Sequence, residues 1–207
     1  TPQSANPLKA CIQLMKAKDG VVTAIPDFDS PQLLHDDRIP NDDLFPLQWH
    51  LQNKGAARGE PRGKIVKGSD LRFVDAWKRL GNKGSKEITI AIIDQSMDLQ
   101  HPVYREKIVA SKSIYTDAFA PLGSGHGTAC ASLAAGAADG EGIVGVAPNA
   151  RLIMIEGSTF SWDILQRLFQ FCMDKGADII SCSWGSIEAK DSLDPMHDVV
   201  LSEITRQ

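Results

Sequence analysis

Ile88-Thr-Ile-Ala-Ile-Ile-Asp94 decides the fold. Six residues, five of them apolar and four of those β-branched, lead without a break into a carboxylate. An amphipathic strand would alternate apolar and polar residues. A continuous run predicts a strand buried on both faces, as in a parallel sheet covered by helices. Two further runs repeat the signal: Arg151-Leu-Ile-Met-Ile155 and Ala177-Asp-Ile-Ile-Ser-Cys182.

Helical patterns lie between these runs. Leu71, Val74 and Trp77 share one helical face behind Ser69, a candidate N-cap. His126 to Ala137 is a helix rich in small residues. Ile164, Leu165, Leu168, Phe169 and Cys172 follow Ser161, a second candidate cap, and the pattern ends near Gly176. A last helix is expected after Pro195. Alternation of this kind predicts an α/β fold, a doubly wound, mostly parallel sheet flanked by helices. Its functional groups belong at the C-terminal strand ends, where Asp94 and Ser183 fall.

The region before this unit is different. Leu8, Cys11, Ile12 and Met15 mark a helix, and Val21–Ile25 a strand, so residues 1–28 form a helix–strand segment too small for its own core. Residues 29–68 hold eight Pro or Gly breakers and read as a linker and arm. The α/β unit occupies residues 69–207. The chain has 207 residues, 43% of them hydrophobic, which suits one domain with a small appendage.

Net charge is −4. That gives no basic face for nucleic acid. No stretch approaches the roughly 20 apolar residues that span a membrane as a helix. Cys11, Cys130, Cys172 and Cys182 lack the CxxC spacing of a zinc cluster and are expected to be buried free thiols.

Two local motifs carry chemistry. Asp94 closes a buried strand, where a carboxylate needs a partner. His126 lies in Gly123-Ser-Gly-His-Gly-Thr-Ala-Cys-Ala-Ser132, between two glycines that allow close backbone approach. At the first turn of a helix, the positive end of the dipole favours a neutral imidazole. Asp94 and His126 together suit the orienting acid and general base of a Ser-His-Asp system. Asp94, Asp98 and His101 form a rival set of metal ligands at short spacing. A nucleotide loop at Gly123–Gly127 is a weaker rival, because neither a full GxGxxG nor a P-loop lysine is present. Ser181-Cys-Ser-Trp-Gly185 and Glu156-Gly-Ser-Thr159 follow strands and are candidate edges for pairing with an extended peptide.

These residues resemble the subtilisin-like serine proteases, the subtilases. Ile90–Pro102 is similar to the family's aspartate motif and Ser124–Ala129 to its histidine motif. Gly142–Pro148 and Ser181–Gly185 resemble the segments around the following strands. Pro40–Asn53 resembles the start of a mature subtilase, and residues 7–28 the end of its propeptide. The resemblance covers residues 38–207. It implies a serine endopeptidase with Asp94 and His126 as catalytic residues. Gly157, Ser158, Ser183, Trp184 and Gly185 are the implied substrate-binding edges for a polypeptide.

The likeness has departures. Gln95 and Ser96 follow the aspartate, where Thr or Asp and then Gly are usual. Val103 stands where an aspartate often binds calcium, so calcium is implied without identified ligands. Ser181, Ser183, Ser186, Ser192 and Ser202 lack the Gly-Thr-Ser context of the family's nucleophile. The resemblance therefore implies that the serine and the oxyanion asparagine come from a segment or second chain beyond Gln207. It implies a propeptide partner and export from the cell as well. A catalytically inactive relative that binds peptide or partner protein is the alternative.

Overall fold

The computed structural model describes residue 13 and residues 39–55, 66–115, 125–157 and 161–185. Among these, α1 spans Phe73–Leu80, α2 His126–Ala135 and α3 Trp162–Asp174. The strands are β1 Thr89–Asp94, β2 Ile108–Ser113, β3 Arg151–Glu156 and β4 Ile179–Cys182. They form one sheet in the order β2-β3-β1-β4, and every pairing is parallel. This is the α/β architecture the apolar runs predict.

Each face of the sheet has its own cover. Ile90 and Ile92 of β1 join Leu152 and Met154 of β3 under Ala131 and Ala135 of α2. Ala91, Ile93, Ile153 and Ile155 point the other way, against Leu165, Leu168, Phe169 and Cys172 of α3. Burial on both sides is why β1 and β3 carry no polar alternation. Small residues on α2 let it lie close to the strands. The loop that follows presses on the end of α2: a Cβ on Gly145 would stand 2.3 Å from the Gly136 nitrogen.

The N-terminal arm is part of the core. Phe45 and Leu51 pack with Val74, Trp77 and Val144, and the Trp77 indole donates to the Val146 carbonyl at 2.9 Å. Gln48 bonds both the N–H and the C=O of Val144 through its amide.

Several local expectations need correction. Helix α1 starts two residues later than Leu71, which is exposed, and its N-cap is Arg72 in the left-handed region. Ser69 does not cap it. Asp70 instead accepts the N–H groups of Asn53 and Arg72, each at 2.8 Å, and these bonds hold its carboxyl below the usual range. Ser161 occupies the N-cap of α3, but its hydroxyl donates to the Asp163 carboxylate rather than capping the helix.

Strand β2 is an addition to the sequence reading. Its sequence, Ile-Val-Ala-Ser-Lys-Ser, is half exposed because it lies at the edge of the described sheet. Of the described cysteines all are free, but only Cys172 is buried; Cys130 is partly covered and Cys182, on the other edge strand, is exposed. The expected elements in residues 7–28 and after Pro195 lie outside the described residues.

Candidate active site

Asp94 is the last residue of β1 and His126 the first of α2. The turn into α2 places Gly125 at φ 66°, a conformation that favours glycine. Gly127 follows with equal need. A Cβ there would lie 3.0 Å from Met97 Cε and 3.1 Å from Asp94 Cβ and the Ser96 carbonyl oxygen. Glycine thus lets the helix start descend onto the strand end, and the two side chains meet.

His126 Nδ1 lies 2.7 Å from Asp94 Oδ1. Asp94 accepts at this oxygen, so the shared proton is assigned to Nδ1. The same oxygen accepts the Gln95 N–H at 2.7 Å. The Asp94 side chain is 2% exposed and that of His126 47%. One partner is locked in the interior and the other reaches solvent. Asp94 Oδ2 is buried and finds no hydrogen-bond donor among the described residues.

The strand end is braced from both sides. Gly157 N–H donates to the Asp94 carbonyl at 2.7 Å, and the Trp184 indole donates to the Ile93 carbonyl at 3.1 Å. Gly157 is buried with its N–H already used, while Ser183, Trp184 and Gly185 are exposed. A Cβ built on Gly185 would meet nothing within 4 Å. Ser158 lies outside the described residues.

Cys130 is a site neighbour that the sequence reading passed over. It stands one helical turn after His126, with Sγ 3.7 Å from Nδ1, and its thiol is influenced by both Asp94 and Ser183. Its i, i+4 spacing from His126 is the signal that could have found it. Burial pushes its thiol up, and the Asp94 charge pushes the same way. It is therefore no thiolate nucleophile at neutral pH. Ligand atoms of Asp94, His126 and Cys130 lie within 4.8 Å of one another. A metal there would need the thiol deprotonated and Nδ1 stripped of its proton, against both tendencies.

Asp98 and His101, the rival metal ligands, serve a turn instead. Asp98 N–H donates to Thr128 Oγ1 at 2.8 Å, its carboxylate accepts the Gln100 N–H, and His101 stacks on Tyr104.

The model of the subtilase family matches residues 85–205, more than half of the chain. The chain belongs to the subtilase family. A calcium-dependent protease of Trichormus variabilis is 35% identical, over 78% of this subtilase and 24% of the relative. Human neuroendocrine convertase 2 is 33% identical over the same share of this chain and 26% of its own. The chain thus spans about a quarter of the length of these curated relatives. Among solved structures, a serine protease of Aeromonas sobria in complex with its chaperone has a TM-score of 0.63. It is 21% identical and covers 81% of this chain and 29% of that one. At that identity the likeness speaks for the fold.

Proposed function

We propose that the protein carrying this chain is a serine endopeptidase in which Asp94 and His126 are two members of the triad. The observation that supports this is the 2.7 Å contact between a buried carboxylate and an accessible imidazole at the end of a parallel strand. The nucleophilic serine and the oxyanion asparagine come from sequence beyond Gln207, in the same polypeptide or a second one.

With Nδ1 turned to Asp94, Nε2 is the nitrogen that handles the reacting proton. It takes the proton of the serine hydroxyl as that oxygen attacks the scissile carbonyl. It then gives the proton to the leaving amine, and water repeats the cycle on the acyl-enzyme. Asp94 stays ionised and stabilises the imidazolium. Its burial makes that contribution larger than in water, because neither partner has to be reordered during reaction. The polypeptide substrate lies in extended form along Ser183–Gly185, with Ser158 as the opposing edge beyond the buried Gly157, and with Trp184 as a brace rather than a contact to the reacting bond.

Calcium belongs to this reading as a structural ion. Asp42 is 2% exposed, and its Oδ2 is buried without a hydrogen-bond donor among the described residues. Its Oδ1 accepts the N–H groups of Asp139 and Gly140 at 3.3 Å. A buried, unmatched carboxylate oxygen beside an acidic loop suits a hard cation. Asp42 would be one of its ligands, and it would fasten the arm to that loop. Val103, with its methyls toward Gly136 and Gly142, supplies no ligand.

The test is hydrolysis of an unfolded polypeptide by the full-length protein and its His126→Ala variant. The expected loss is on the order of 10⁶-fold in kcat, as for removal of the base from such a triad. Peptide binding with no hydrolysis by the unaltered protein would replace this reading with that of an inactive relative.

A further inference from the structure

Glu156 is fully buried, and the proposed chemistry gives it no role. It ends β3 as Asp94 ends β1, and the two are partners in the sheet register. Parallel neighbours in register share a face, with strand axes about 4.8 Å apart. Ile90 and Ile92 pack with Leu152 and Met154 in one core cluster, and the alternation carries Asp94 and Glu156 onto the same side. Ser113, the register partner of Glu156 on β2, donates its hydroxyl to Glu156 Oε2 at 2.9 Å. The ends of three strands therefore hold a row: Ser113, Glu156, Asp94, and then His126.

We propose that Glu156 is a positioning residue for the Asp94–His126 pair, its carboxylate, aimed by Ser113, strengthening the hold of Asp94 on the His126 Nδ1 proton. This rests on the reading of that pair as the acid and base of the triad. Two carboxylates adjacent in register on one face of a buried strand end add their fields at whatever group lies beyond them, here the His126 ring. Asp94 Oδ2, buried and with no N–H or O–H donor among the described residues, leaves the carboxylate open to the field of its neighbour. Lys112, next to Ser113 in sequence, places its ammonium 5.0 Å from the Phe171 ring centre, on the α3 side of the sheet. It does not share the face of Glu156.

The experiment is proton and nitrogen NMR of the full-length protein labelled at histidine, reading the Nδ1–H signal of His126. This signal reports the Asp94 bond and needs no turnover, so it remains informative even if the protein proves not to be a protease. Glu156→Gln keeps the shape and removes the charge, and an upfield shift of the signal is expected. Ser113→Ala leaves the charge and loosens its aim, and a smaller shift in the same direction is expected. A folded Glu156→Gln protein whose signal is unmoved overturns the proposal and leaves Glu156 a packing residue. If Glu156→Gln fails to fold, Ser113→Ala decides alone: a shift supports the proposal and an unmoved signal overturns it.

Discussion

Lys107 gives the account a test in numbers. Its ammonium is held between two carbonyls, that of Ala135, which ends α2, and that of Pro148 at 2.5 Å. Burial lowers its pKa from 10.5 to about 8, with Asp139 opposing the shift. The folded protein therefore releases this proton more readily than the unfolded chain. Between about pH 8 and 10.5 the unfolded state binds more protons, so stability must rise with pH across that window. Below about pH 8 the cost of burying the charge is present in full. A difference of about 2.5 units corresponds to at most about 3.4 kcal/mol. The neutral amine still offers two N–H groups to the same carbonyls, so relief of the charge does not cost the bonds. The assay is urea unfolding of the protein and Lys107→Met at pH 7, 9 and 10.5, compared as differences so that other groups cancel. The unaltered protein is expected to gain about 2–3 kcal/mol on the variant between pH 7 and 10.5. A difference that is flat, or that falls with pH, would refute burial as the governing force on Lys107.

Three other outcomes follow from the site. Gly127→Ala is expected to cost about 1–3 kcal/mol in urea unfolding, because its methyl meets Asp94 Cβ and the Ser96 carbonyl at 3.1 Å; an unchanged midpoint would show that the helix start can shift freely. Removal of calcium by a chelator is expected to lower the melting temperature, and Asp42→Asn to abolish that response; an equal response in the variant would place any bound ion elsewhere. Trp184→Phe deletes the indole bond to the Ile93 carbonyl and is expected to raise KM for peptide more than it lowers kcat, by steady-state kinetics; the reverse pattern would mean that Trp184 acts on the reacting centre.

The sequence was legible where one residue's neighbours along the chain are also its neighbours in space. Thr89–Asp94 advertises a doubly covered strand because every side chain in it is buried. His126 advertises itself through flanking glycines that its approach to Asp94 demands. Strand β2 did not, since an edge strand such as Ile108–Ser113 is half solvated and its apolar signal is diluted. The start of α1 escaped because Asp70, not Ser69, has two backbone N–H groups within reach, one of them from Asn53 in the arm. Asp98 and His101 looked like ligands by spacing, and only the folded turn shows Asp98 Oδ1 taken by the Gln100 N–H and His101 Nδ1 by the Val103 N–H. Glu156 was invisible as a neighbour of Asp94 because their adjacency is set by the register of β1 on β3. No local spacing encodes that.

The central claim is that Asp94 and His126 activate a serine supplied by the remainder of the protein. Labelling of the full-length protein with a serine-reactive phosphonate, mapped by mass spectrometry, tests it most directly. The account predicts one labelled serine beyond Gln207, and loss of that label in His126→Ala. Labelling that persists in His126→Ala, or a protein that takes no label at all, would contradict it.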